Sequence, residues 1–62
     1  MNGLEKARIE LGFTLEQMAS ELCITPNEYK RYAKNISVIP LPILKLASLI
    51  TKKPTRYLLG EV

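Results

Sequence analysis

The chain has 62 residues, enough for one domain and too few for a large core with a deep pocket. Its balance of 47% hydrophobic and 24% charged residues is that of a globular fold and excludes disorder by composition. Nine Lys+Arg against six Asp+Glu leave a net charge of +3, a mild basic excess compatible with a polyanion, while one cysteine and no histidine exclude an internal disulfide and a zinc site.

The first predicted helix covers residues 3–11. Leu4, Ala7 and Leu11 share its inward face; Glu5, Lys6, Arg8 and Glu10 occupy the others. Gly12 ends it. Thr14-Leu15-Glu16-Gln17 has the form of a capping box, and Leu15, Met18, Ala19 and Leu22 then repeat at helical spacing. After a break at Cys23-Ile24, Thr25-Pro26-Asn27-Glu28 forms a second box, with proline at the first helical position. The third helix runs to about Lys34-Asn35 with Tyr29, Tyr32 and Ala33 inward, and Asn35 suits a left-handed helix end. Residues 36–41 connect to a fourth helix at about 42–51, with Ile43, Leu44, Ala47 and Ile50 inward. Lys52-Lys53-Pro54 breaks it, and a short last helix holds Thr55 to Leu59 before Gly60. No stretch reads as a strand, a repeat or a low-complexity segment. No apolar run approaches the ~18 residues of a membrane span, and the N-terminus has no signal-peptide pattern. A reducing cytoplasm is the expected compartment.

Two short helices joined by so tight a turn must cross at a large angle, which is the helix-turn-helix geometry. It needs a small residue at the crossing, here Ala19. It needs an apolar inner face, here Met18, Leu22, Ile24, Tyr29 and Tyr32. It needs a polar outer face on the second helix, here Asn27, Lys30, Arg31 and Lys34.

Gly12-Phe13-Thr14, Met18-Ala19, Leu22, Ile24-Thr25-Pro26 and Arg31 stand in the order and spacing of the lambda-repressor-like (Cro/cI, XRE-type) helix-turn-helix family, which the chain resembles. Residues 7–13 resemble that family's lead-in; Leu44, Leu46-Ala47 and Tyr57-Leu58-Leu59-Gly60 resemble its closing helices. The resemblance covers essentially the whole chain, residues 1–62, with the helix-turn-helix at about 14–34. It implies an all-α, five-helix domain that binds double-stranded DNA operators as a homodimer. Carried over residue by residue, it implies that Thr25, Pro26, Asn27 and Arg31 face base edges. Arg31 suits guanine and Asn27 suits adenine, each such pair discriminating by about 1–3 kcal/mol. It implies that Thr14, Lys30, Lys34 and Asn35 lie toward phosphates, with helix N-termini at Thr14 and Thr25 offering backbone amides.

Four positions depart from that pattern. Leu15 stands where a glutamine often contacts the DNA backbone. Cys23 replaces the common turn glycine, which strains a left-handed backbone there. Ala33 replaces an acid that often pairs with the arginine of the first helix, which leaves Arg8 free for phosphate or solvent. Ile36, Val38, Ile39 and Leu41 make the loop after the third helix apolar where relatives are polar or basic.

Tyr29 and Tyr32 read as core rather than as stacking platforms, and Cys23, between Leu22 and Ile24, as a small buried hydrophobe. Lys52, Lys53 and Arg56 read as solvated surface. The apolar loop reads as an interface, for a second copy or for another protein, together with the fourth and fifth helices. The expected function is a sequence-specific DNA-binding transcriptional regulator like small phage or prophage repressors. Its rival is a protein-interaction module on the same fold, like an anti-repressor or antitoxin, which Leu15 and Ala33 favour. No histidine, no exposed nucleophile and no converging carboxylates point to catalysis, a metal or a cofactor, so no enzyme is expected. The Tyr57-Leu58-Leu59-Gly60 ending resembles the point where larger repressors enter a linker; a complete small regulator and an N-terminal domain both fit it.

Overall fold

A computed structural model describes residues 2–60. Five α-helices follow in order: α1 (Gly3–Leu11), α2 (Leu15–Glu21), α3 (Pro26–Lys34), α4 (Leu41–Thr51) and α5 (Thr55–Leu58), with a 3-10 turn over Ile36–Val38. No strand occurs among the described residues. The body measures 26 × 23 × 20 Å.

Local chemistry sets most helix ends. Asn2 caps α1, its Oδ1 accepting from the Glu5 amide at 3.0 Å. Gly12, at φ 75°, closes α1 in the left-handed conformation, its N–H donating back to Ile9 O at 3.0 Å. Both capping boxes form. Thr14 Oγ1 accepts from Gln17 N at 3.0 Å while Gln17 Oε1 accepts from Thr14 N at 2.7 Å. Thr25 Oγ1 accepts from Glu28 N at 3.1 Å while Glu28 Oε1 accepts from Thr25 N at 2.9 Å. The α4 helix starts one residue earlier than its prolines suggest: Pro40 precedes it and Pro42 sits in its first turn, where a missing N–H has no intrahelical bond to lose.

Leu4 and Ala7 of α1, Met18, Ala19 and Leu22 at α2, Tyr29 and Tyr32 of α3, Leu44 and Ala47 of α4 and Leu58 of α5 form one buried core. The two tyrosines are therefore core residues, as their spacing requires. Gly3 fixes a close approach: a Cβ there would lie 1.8 Å from the Tyr57 carbonyl oxygen and 2.9 Å from the Leu58 Cα. The first turn of α1 thus rests directly on the backbone of α5.

Five details differ from the sequence expectations. Leu11 is exposed, together with Ile9, Glu10 and Gly12, because α1 is held in the core by its earlier residues Leu4 and Ala7. Thr51 is buried while Ile43 and Ile50 are only partly so; its hydroxyl donates to Ala47 O at 2.7 Å and accepts from Lys53 N at 3.3 Å, which makes the polar group acceptable inside. Asn35 is extended (φ −143°, ψ 93°), not left-handed, because its Oδ1 accepts from the Ser37 amide and hydroxyl and starts the 3-10 turn. Cys23 is exposed rather than buried. It takes the left-handed conformation at φ 59°, which turns its side chain out of the apolar seam between Leu22 and Ile24. Lys53, expected as solvated surface, is partly covered by its contacts with Glu10 and the Tyr57 ring.

Candidate nucleic-acid interface

The α2–turn–α3 unit is closed by backbone bonds through its turn, Cys23 N to Ser20 O and Ile24 N to Ala19 O, both at 3.0 Å. Ala19 and Met18 of α2 meet Tyr29 and Tyr32 of α3 in the buried core, so the inner face of α3 is fully spent on packing. Its outer face is free. Pro26, Asn27, Lys30, Arg31 and Lys34 are all exposed. Asn27 and Arg31 are four residues apart and so share one stripe; Lys30 and Lys34 share the adjacent one. A helix of nine residues is about 14 Å long and enters a major groove about 12 Å wide.

Three cations stand on this face, Lys30, Arg31 and Lys34. Among the described residues the ion pairs are Arg8–Glu5 and Lys53–Glu10, which leaves Lys30, Arg31 and Lys34 without a carboxylate in salt-bridge range. The Arg31 guanidinium lies 5.6 Å over the Tyr32 ring, which holds the long side chain against its own helix. The Glu28 carboxyl is held below its ordinary range, first by the Thr25 backbone amide and hydroxyl, with a smaller pull from Arg31.

The candidate contact residues differ in what their atoms are already doing. Thr14 and Thr25 are exposed N-caps whose hydroxyl oxygens each accept a backbone bond, and each keeps its hydroxyl hydrogen to donate. Proline at the first position and the Glu28 cap leave Asn27 as the one first-turn amide of α3 without an intrahelical or capping acceptor, beside a carboxylate. Asn35 is exposed, but its side-chain oxygen is taken by Ser37, leaving the amide hydrogens. Leu15, at the start of α2, is half-buried against the core rather than presented to solvent. The apolar loop divides: Ile36 and Ile39 turn in against the core, while Val38 and Leu41 are 47% and 59% exposed.

Arg8 is not free. Its Nε donates to Glu5 Oε1 at 2.8 Å, Nη2 to Oε2 at 3.4 Å, and Nη1 to the Phe13 carbonyl at 2.7 Å. An acid on its own helix thus replaces the acid absent at Ala33. The Glu5 carboxyl is held below its ordinary value, first by the Arg8 bond, with burial opposing and Tyr29 helping. Tyr29 donates its phenol hydrogen to Glu5 Oε1 at 2.5 Å, and burial together with that acid raises the phenol pKa. Asn2 Nδ2 reaches the far end of α3, donating to Ala33 O at 2.9 Å and Tyr32 O at 3.3 Å. Sequence reasoning missed Asn2 and Glu5. The Glu5–Arg8 spacing was visible, but nothing marks partners 24 to 31 positions away.

Among the described residues, no helix is long and apolar enough to cross a membrane. A helix-turn-helix family model matches residues 4–58, nearly the whole of the five-helix body. No curated protein and no solved structure matches the chain. With the capped helix pair, the buried inner face of α3 and its basic outer face in one continuous match, the chain belongs to the lambda-repressor-like (XRE-type) helix-turn-helix family and is, in general terms, a DNA-binding regulator.

Proposed function

We propose that the chain binds a specific double-stranded DNA site as a homodimer and regulates transcription by occupying it, as small phage or prophage repressors do. The observation that carries this reading is the outer face of α3, where Asn27, Lys30, Arg31 and Lys34 stand exposed on a helix whose other face is buried. Asn27 and Arg31, with Thr25 and Pro26 at the helix start, read base edges; Lys30, Lys34, Thr14 and the Asn35 amide engage phosphates. A single body 26 Å in its longest extent presents one such helix and cannot reach the next major groove, about 34 Å on, so reading two half-sites takes two copies. Val38 and Leu41, extended along α4 by Leu49 at 76% exposure, offer the apolar surface for that pairing. The work is done in the bacterial cytoplasm or nucleoid, without catalysis or a cofactor.

In-vitro selection against random duplex DNA, followed by salt titration of the selected site, tests this. An enriched near-palindrome with affinity falling steeply in salt supports a dimeric operator reader. Absence of any enriched sequence refutes sequence-specific binding. The second reading, a protein-interaction module, then takes its place, favoured by the same Val38, Leu41 and Leu49 exposure and by the engagement of Arg8 with Glu5. It expects capture of a protein partner that Leu41→Ser abolishes.

A further inference from the structure

We infer that Asn2 and Glu5, both on the side of α1 that reaches α3, are positioning residues for the recognition helix, holding it at its two ends and thereby setting base discrimination. This rests on the proposed reading of α3. α1 and α3 share the core through Leu4, Ala7, Tyr29 and Tyr32, but their backbones approach closely at few points, and the directional link between them is side-chain hydrogen bonding. At the first turn of α3 the Tyr29 phenol is tied to Glu5, and Glu5 is itself held by Arg8, whose third nitrogen, Nη1, donates to the Phe13 carbonyl just before α2. At the last turn the Asn2 amide takes the Tyr32 and Ala33 carbonyls, which the helix end leaves without intrahelical donors. One carboxylate therefore registers the starts of both α2 and α3, and one amide fixes the far end of α3.

Tyr29 and Ala33 lie two positions beyond Asn27 and Arg31, or about 200° around the helix. The anchors are thus at the back of the reading stripe. A roll of about 10° about that back would swing a long side chain at the front by more than an ångström, beyond what a bidentate base contact tolerates. Phosphate contacts through flexible lysines absorb such a shift. Loss of an anchor should therefore lower discrimination while sparing non-specific affinity.

Two variants remove the anchors with little change to packing. Tyr29→Phe deletes only the hydroxyl. Asn2→Ser keeps an N-cap acceptor for α1 and deletes the amide donor. Each is compared with the unaltered chain in two measurements. Residual dipolar couplings of the free protein give the angle of α3 to α1. Affinities for the selected duplex and for a scrambled duplex of equal length give discrimination. In variants that remain folded, we expect α3 to reorient and the selected-to-scrambled ratio to fall about tenfold, with the scrambled affinity unchanged. An unchanged ratio, or an equal fall in both affinities, would overturn the inference. If the unaltered chain selects no duplex, the proposed function fails first, and the couplings alone decide: a reoriented α3 upholds positioning by Asn2 and Glu5, and an unmoved α3 ends it.

Discussion

The two joints that α1 makes are built on opposite principles. Against α5 it is set chiefly by sterics: Gly3 lets backbone meet backbone, and the one side-chain hydrogen bond, from the Tyr57 hydroxyl to Glu10 Oε2 at 3.2 Å, lies exposed at the rim. Against α3 it is set by polar reach: Asn2 and Glu5 span the gap with hydrogen bonds to Tyr29, Tyr32 and Ala33. The steric contact at Gly3 tolerates no substitution and needs no protonation state. The polar joint can be edited atom by atom, and its strength depends on pH.

The largest test of that contrast is Gly3→Ala. A methyl group there meets the Tyr57 carbonyl at 1.8 Å, and backbone on both sides cannot yield as a flexible side chain would. Urea unfolding should show a loss of about 3 kcal/mol or more. A loss below about 1 kcal/mol would mean that the steric joint opens easily, and the contrast would collapse.

Tyr29→Phe should cost less, about 1–2 kcal/mol, since it deletes one hydrogen bond to a charged group and leaves the ring packed. The same bond has a pH window. Glu5 has a folded pKa below its unfolded value, so its contribution is complete above the ordinary carboxylate range and is lost as pH falls through the folded value. Tyr29 has a raised pKa, so its contribution holds below the ordinary phenol range and is lost as pH rises above it. Thermal melts across pH should show both losses in the unaltered chain, and Tyr29→Phe should remove the alkaline one. An alkaline loss of equal size in both proteins would assign it elsewhere.

Away from both joints, Cys23→Gly should stabilise the fold by about 1 kcal/mol by relieving a left-handed non-glycine residue at an exposed position. A decrease would show that the Cys23 side chain contributes contacts beyond those described above. The smallest effect on the monomer belongs to Leu41→Ser. With Leu41 59% exposed, its stability should shift by no more than about 0.5 kcal/mol while sedimentation shows weaker self-association. Unchanged self-association would remove Leu41 from the dimer surface.

What could be read from the chain follows how far apart the partners are. Helix starts were legible because Thr14 with Gln17, and Thr25 with Pro26 and Glu28, satisfy their amides within four residues. The burial of Tyr29 and Tyr32 was legible from their spacing. On α4 the spacing found Leu44 and Ala47, both buried, but overstated Ile43 and Ile50, because Leu41, Ile43, Leu44, Leu46, Leu49 and Ile50 put apolar groups on every side. There tertiary packing decides how deeply each is covered, leaving Leu49 76% exposed. Cys23 was misread because its apolar neighbours suggested burial, whereas the turn geometry sends it outward. Among the candidate contacts, the polar outer face of α3 was visible as composition. The anchors behind it were not, since an asparagine and a glutamate near the start of a chain look like ordinary caps and surface charge.

The paired capping boxes also bear on how fast the domain forms. Each joins residues only three apart, so the starts of α2 and α3 are marked in the chain before any distant contact exists. Closing such short loops costs little entropy, and domains dominated by local contacts fold in microseconds to milliseconds. In rapid-mixing experiments the helix-turn-helix should form early, with φ-values highest around the two threonines. The α1–α5 contact, which joins residues more than fifty positions apart, should form late and have the lowest values.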